Sequence, residues 1–117
     1  MKLNRIISLI IIVLAVGMPA LSGIMKIIGN PNGTKLLEAF GVASYRIELG
    51  LSEIVFAALF AFPKTMKIGF ILLASYFAGA MATELSHHAA LYSLIPLVLI
   101  WLAALLRNKF IFLPGIN

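Results

Sequence analysis

The sequence predicts an all-α membrane protein in which four transmembrane helices form an antiparallel bundle, with a short interfacial helix between the first and second. The composition, the apolar segments and the placement of charge all favour this fold. Hydrophobic residues make up 62% of the 117 residues and charged residues 11%, about half the charged fraction of soluble globular domains. The mean hydropathy of +1.10 leaves too little polar surface for a water-soluble globule. We therefore expect a single domain over residues 1–117 with lipid as its main solvent.

Four apolar segments define the predicted spans. They cover residues 6–28, 46–62, 66–83 and 90–106, and a bilayer core of about 30 Å needs about 17 to 25 residues per helix. A secretory signal peptide cleaved before Gly23 is the alternative for the first segment. Because the apolar run continues beyond that site, we favour a retained span.

A short helix is predicted between the first two spans. The sequence from Gly29 to Gly33 combines Gly, Asn and Pro, which favour turns. The next residues, 34–41, suggest a helix with Thr34 as the N-cap and Gly41 as the C-terminal stop. Its apolar side chains share one face by their spacing, so this helix is expected to lie in the interface, over the outer end of the bundle. These side chains are Leu36, Leu37 and Phe40.

Small residues recur on the third predicted span at helical spacing. Ala74, Ala78 and Ala82 form one stripe, and Ser75, Gly79 and Thr83 form the next. Such stripes let helix backbones approach closely in lipid, where packing drives association. Both stripes are therefore predicted to be helix contacts.

The cations predict the orientation. With four spans, both termini lie on one side, and the positive charges on that side are accompanied by no acidic residue. These cations are Lys2, Arg5, Lys64, Lys67, Arg107 and Lys109. All four glutamates lie on the other side or in the outer half of the spans, so the positive-inside rule places both termini in the cytoplasm. The Lys and Arg residues form no basic face, which argues against a nucleic-acid partner.

Five charged residues are the candidate site. At a helical rise of about 1.5 Å, Glu53 lies about 14 Å above the inner boundary, near the midplane, where a carboxyl group is costly. Glu48, Arg46 and Glu84 lie higher, at about 21 to 24 Å, and Lys26 lies near the outer interface. We expect a polar, outward-facing pocket with Glu53 at its floor and Arg46 and Lys26 as its cationic partners. Alternatively, all but Glu53 are ordinary interfacial charges.

Other chemistry finds little support in the sequence. There is no cysteine, which excludes thiolate metal sites and electron transfer from a cysteine pair. Adjacent histidines, His87 and His88, point about 100° apart on a helix and cannot easily share one ion, so no metal site is expected. No nucleophile–base pair or cofactor motif indicates independent catalysis. A small proton-coupled transporter using Glu53 is the alternative to a binding protein.

Several short motifs resemble the DoxX-like family of small four-helix membrane proteins. They are Ser22-Gly23-Ile24-Met25-Lys26 with the following Asn-Pro turn, Leu49-Gly50-Leu51-Ser52-Glu53, Gly79-Ala80-Met81-Ala82-Thr83 and Leu106-Arg107-Asn108. Many relatives carry His where this chain has Glu84. The resemblance implies a multi-pass protein of the inner membrane.

In that family an accessory protein or a redox-complex subunit is the implied role. At most, this chain would be a subunit of a quinone-linked oxidoreductase. A quinone or a lipid is the implied ligand, and no other cofactor is evident. The implied partners are the lipid bilayer and either a membrane redox protein or a second copy of the chain.

Overall fold

Five α-helices make up most of residues 2–107, which are the residues described by the structure, a computed structural model. Their bounds are α1, Lys2–Ile28; α2, Pro31–Ala39; α3, Arg46–Ala61; α4, Met66–Ser86; and α5, Leu94–Arg107. A short 3-10 helix, Ala43–Tyr45, precedes α3. No strand occurs within residues 2–107, so the predicted all-α class is confirmed. Lys109 and the Asn108 of the last family motif lie outside the described residues.

The four longer helices pack side by side in a closed ring. Helix α1 contacts α3 and α5, and α4 contacts the same two helices. Neighbours run in opposite directions: along α3, Glu53 lies beside Tyr76 of α4, whereas Phe60, two turns later, lies beside Gly69, two turns earlier in α4. The ring encloses a core of buried apolar side chains. These include Ala15, Phe60, Leu73, Ile100, Ala103 and Ala104, each fully buried.

Glycines mark the closest backbone approaches between helices. A Cβ atom on Gly23 would lie 2.6 Å from the carbonyl oxygen of Gly50, so α1 and α3 meet backbone to backbone there. A Cβ atom on Gly69 would lie 2.5 Å from Phe60 Cα, so α4 meets α3 in the same way. Gly79 has no atom within 4 Å of the corresponding position. The prediction that the Gly79 stripe is a helix contact is therefore wrong at Gly79.

Helix α2 begins four residues earlier than the sequence pattern suggested. Asn30 is its N-cap, and the side-chain Oδ1 accepts hydrogen bonds from the backbone N–H groups of Asn32 (3.0 Å) and Gly33 (3.2 Å). Pro31 occupies the first helical position, where its fixed φ suits a helix and its missing N–H costs nothing. The predicted N-cap, Thr34, is therefore wrong. Gly41 does follow the end of the helix, with a φ of +75°.

Two arginines bind the last carbonyl groups of α1 and α3. Arg46, at the start of α3, donates from NH1 to the carbonyls of Lys26 and Ile27 in the last turn of α1. Arg107, at the end of α5, donates to the carbonyls of Phe60 and Ala61 in the last turn of α3. The last carbonyls of a helix have no partner within it. Each guanidinium therefore takes the role that water has at an exposed helix end.

Two of the helices could cross a membrane by length and composition. Among residues 2–107 these are α1 and α4. Helix α1 has 27 residues and contains an 18-residue window with a mean hydropathy of 2.4, and α4 has 21 residues and contains such a window with a mean hydropathy of 1.6. Helix α5 is apolar but shorter. Large apolar side chains are exposed on all five helices, for example Ile28, Leu36, Leu51, Ile71 and Ile95. The chain thus has the features of a membrane-associated protein.

Candidate functional site

A buried ion pair joins α1 to α3. The Glu53 side chain is fully buried, and its Oε1 atom accepts a hydrogen bond from Lys26 Nζ. The Tyr76 hydroxyl donates to the same atom at 2.8 Å, and the Ser22 hydroxyl at 3.3 Å. The second carboxylate oxygen, Oε2, is buried and has no hydrogen-bond partner within residues 2–107. Three polar side chains from two other helices thus converge on one oxygen of Glu53.

Local sequence explains why this pair forms. Ser22 and Lys26 are four residues apart on α1 and share a face, and Lys26 Nζ also donates to the Ser22 hydroxyl at 2.9 Å. Between them lies Gly23, which brings the α1 backbone against Gly50 of α3. Glu53 lies one turn after Gly50. The close approach of two glycines therefore places the carboxylate within reach of the ammonium group.

Tyr76 is the site residue that sequence reasoning missed. Counted from Met66, the start of the third predicted span, it lies about 15 Å above the inner boundary, close to the depth of Glu53. A tyrosine at that depth needs a partner for its hydroxyl group. Its depth was therefore the signal that could have identified it as a partner of Glu53.

Arg46 does not bind Glu53. The two residues are seven apart and share a face of α3, as predicted, but two helical turns separate them by about 10 Å along the axis. The guanidinium reaches the end of α1 instead, where Gly29 has a φ of +86°. A Cβ atom on Gly29 would lie 3.1 Å from Arg46 NH1, so the absence of a side chain makes room for the guanidinium.

The other two predicted site residues lie apart from the ion pair. Glu48 is exposed, and its backbone carbonyl accepts a hydrogen bond from the Ser52 hydroxyl at 2.8 Å, whereas its carboxylate has no hydrogen-bond partner within residues 2–107. Glu84 is buried and accepts from the Ser93 backbone N–H (3.1 Å) and hydroxyl (2.9 Å). Ser93 immediately precedes α5, so Glu84 ties the end of α4 to the beginning of α5. Of the five predicted residues, only Lys26 and Glu53 form an ion pair within residues 2–107.

A cavity of about 880 Å³ lies beside the ion pair. Residues from α1, α2, α4 and the starts of α3 and α5 line it, and most of this lining is apolar. Ser22, Lys26 and Tyr76 are part of the lining, but Glu53 is not. The prediction that Glu53 forms the floor of the pocket is therefore wrong, because Glu53 lies behind these three side chains.

The histidines lie at the end of α4, near the cavity but outside its lining. His87 Nδ1 is 2.9 Å from the Thr83 carbonyl oxygen and 3.0 Å from the Ser86 hydroxyl. Its ring packs edge-on against Phe40, with centroids 5.5 Å apart. Within residues 2–107 there is no group of three His, Cys, Asp or Glu side chains that could hold a metal ion.

Compared with protein-family models, curated proteins and solved structures, the chain matches none. The DoxX-like resemblance therefore stays a prediction that depends on its short motifs. Two of these motifs meet in the structure, because Gly23 and Lys26 of the first contact Gly50 and Glu53 of the second.

Proposed function

We propose that the chain is a DoxX-like, multi-pass protein of the inner membrane, a four-transmembrane-helix antiparallel bundle with α2 in the outer interface and both termini in the cytoplasm. The distribution of polarity supports this, because large apolar side chains face outwards while Glu53 and Glu84 are buried. Such an arrangement suits lipid, in which polar groups must find partners inside the protein. Helices α3 and α5 are about 24 and 21 Å long, and Arg46 and Arg107 at their ends lie where cations can reach the interface.

Within this bundle, the proposed role is that of an accessory or redox-complex subunit that binds a quinone-like or lipidic molecule. The cavity carries this proposal. Its volume of about 880 Å³ falls within the range of about 300 to 1,000 Å³ that is typical of small-molecule sites. Such sites are mostly apolar with a few polar groups, as here, where Lys26, Arg46 and Tyr76 are among the polar lining residues. No independent catalytic activity is proposed, and any redox chemistry would belong to the partner complex.

The test is to identify what the purified protein carries. Protein extracted in a mild detergent would be analysed by mass spectrometry for bound quinone and lipid. In a Gly79→Phe variant the new ring would enter the cavity, because Gly79 lines it and has open space beside it. Gly17→Phe is the matched control, since Gly17 also has open space but lies outside the lining. We expect a ligand in the wild type and in Gly17→Phe, and its loss in Gly79→Phe. The proposal would be refuted if the wild type carried no ligand and co-purified with no partner.

A proton-coupled transporter is the second candidate. It is favoured by the fully buried carboxylate of Glu53, one oxygen of which has no hydrogen-bond partner within residues 2–107. Buried acids in membrane proteins commonly serve proton relays. Proteoliposomes that contain the wild type should then show substrate-driven proton flux, which Glu53→Gln should abolish. Absence of flux in the wild type across a panel of cationic and anionic amphiphiles would exclude this function.

A further inference from the structure

We infer that the cavity binds an amphiphile with an acidic head group, a carboxylate or a phosphate, which pairs with Arg46. This inference rests on the proposed function, because it names the class of ligand for the same cavity. It separates acidic lipids from neutral quinones and neutral lipids, which the proposed function leaves together.

Three charged side chains line the cavity, and only one of them combines the lack of a counter-ion with unused hydrogen-bonding groups. Lys26 is neutralised by Glu53 directly behind it. Glu84 accepts two hydrogen bonds from Ser93 at the beginning of α5, where a negative charge is favoured by the helix dipole. Arg46 forms no ion pair with any residue in the range 2–107. Like Glu84 it lies at the end of a helix where its charge is favoured, but its guanidinium keeps free N–H groups to which a ligand can supply a counter-ion.

The Arg46 guanidinium also has donors to spare. Of its five N–H groups, the two hydrogen bonds to the end of α1 use NH1 alone. Neither Nε nor NH2 has a hydrogen-bond partner in the described part of the chain. A guanidinium edge matches the two oxygens of a carboxylate or phosphate, and such paired bonds are stronger than neutral ones. Asn30, Asn32 and Thr34 also line the cavity and add polar groups to it.

The rest of the cavity suits an apolar tail. Along α1 the lining continues from Lys26, whose carbonyl binds Arg46, back to Met18, a distance of about 12 Å. Phe77 and Pro96 add apolar surface from α4 and α5. A neutral ligand would fill this part equally well but would leave the Arg46 charge unbalanced, which is costly near lipid. The geometry thus favours an acid over a neutral molecule of the same shape.

Head-group preference can be measured on the wild type. Radiolabelled oleate and radiolabelled decylubiquinone would each be bound to the full chain in detergent, and each would be displaced by unlabelled oleate, oleoyl lysophosphatidic acid, oleyl alcohol or decylubiquinone. A hydrogen-bonded charge pair should make the two acids bind about 10- to 100-fold more tightly than oleyl alcohol. Comparing the two acids then distinguishes a carboxylate from a phosphate head group.

Variants of two arginines locate the preference. Arg46→Gln should reduce the ratio of oleate to oleyl alcohol affinity to about one, and Arg46→Lys should retain most of it. Arg107→Gln is the matched control, because Arg107 also binds two carbonyls at a helix end but lies outside the cavity lining. It should leave the ratio unchanged, whereas a merely structural role for Arg46 would make the two Gln variants behave alike.

The outcomes separate this inference from the proposed function. If the wild type binds oleyl alcohol or decylubiquinone as tightly as oleate, the acidic head group is refuted while the binding cavity stands. If Arg46→Gln keeps the preference for acids, the role of Arg46 is refuted. If none of the four probes binds, both this inference and the proposed binding function fail.

Discussion

Replacing Lys26 of the Lys26–Glu53 pair should lower the free energy of unfolding more than replacing Glu53. Glu53 is fully buried, whereas the Lys26 side chain is 21% exposed and reaches the cavity. In Lys26→Met the carboxylate is left buried without its cation, and breaking a buried pair in this way costs about 3 to 5 kcal/mol. In Glu53→Gln the freed ammonium can turn towards the cavity, and the new amide oxygen still accepts from Tyr76. We therefore expect Glu53→Gln to lower the free energy of unfolding by only about 1 to 3 kcal/mol.

The double variant distinguishes coupling from simple loss of packing. Lys26→Met combined with Glu53→Gln leaves no unbalanced charge, so it should be more stable than Lys26→Met alone by at least about 1 kcal/mol. Unfolding would be followed by circular dichroism during titration of dodecyl sulfate into a milder detergent. Glu48→Gln, on the exposed face of the same helix, is the control and should change stability by less than about 0.5 kcal/mol. Equal effects of Lys26→Met and Glu48→Gln would refute the buried pair.

Three further predictions concern helix packing, a buried hydrogen bond and orientation. Gly69→Ala should destabilise the protein by about 1 to 3 kcal/mol, because its Cβ atom would meet the α3 backbone. Gly79→Ala, in the same helix but with open space, should be neutral or stabilising in the same unfolding titration. Ser93→Ala removes the hydroxyl that donates to the buried Glu84 carboxylate and should lower the free energy of unfolding by about 1 to 3 kcal/mol; a change of no more than about 0.2 kcal/mol would contradict this link between α4 and α5. Because the chain has no cysteine, an impermeant maleimide in intact cells should label Lys35→Cys at once but Lys64→Cys only after permeabilisation; the reverse pattern would overturn the proposed orientation.

The sequence predicted the helices better than it predicted their partners. Apolar runs bounded by Pro and Gly indicate helices reliably, and an α-helix occupies each of the four predicted segments. Depth counted along each helix also identified Glu53 as the carboxyl group most in need of a partner. Which cation meets it depends on how two helices rotate and slide against each other. That arrangement is fixed here by the contact of Gly23 with Gly50, which no single segment reveals.

Arg46 shows the limit of arguments from one helix. Its spacing from Glu53 correctly predicted a shared face, but the arginine side chain is long enough to reach several possible partners on a neighbouring helix. The end of α1 offers carbonyl groups that lack helical partners, and Gly29 provides the space beside them. The Gly79 stripe shows the converse error: small residues on α4 fit a close contact equally well, but a cavity occupies that place. Sequence periodicity cannot distinguish a contact from a void.

The arginines at the helix ends bear on how the chain loses its structure. Terminal turns of a helix normally fray first and independently, because their carbonyl groups form hydrogen bonds to water instead of to another part of the protein. Here the last turn of α1 is held by Arg46 of α3, and the last turn of α3 by Arg107 of α5. If α5 separates from the bundle, the last carbonyls of α3 lose their hydrogen bonds to Arg107. If α3 separates, the last carbonyls of α1 lose their hydrogen bonds to Arg46. Amide protons in these turns should therefore exchange only when the helix that supplies the arginine moves away, which makes α1, α3 and α5 one cooperative unit.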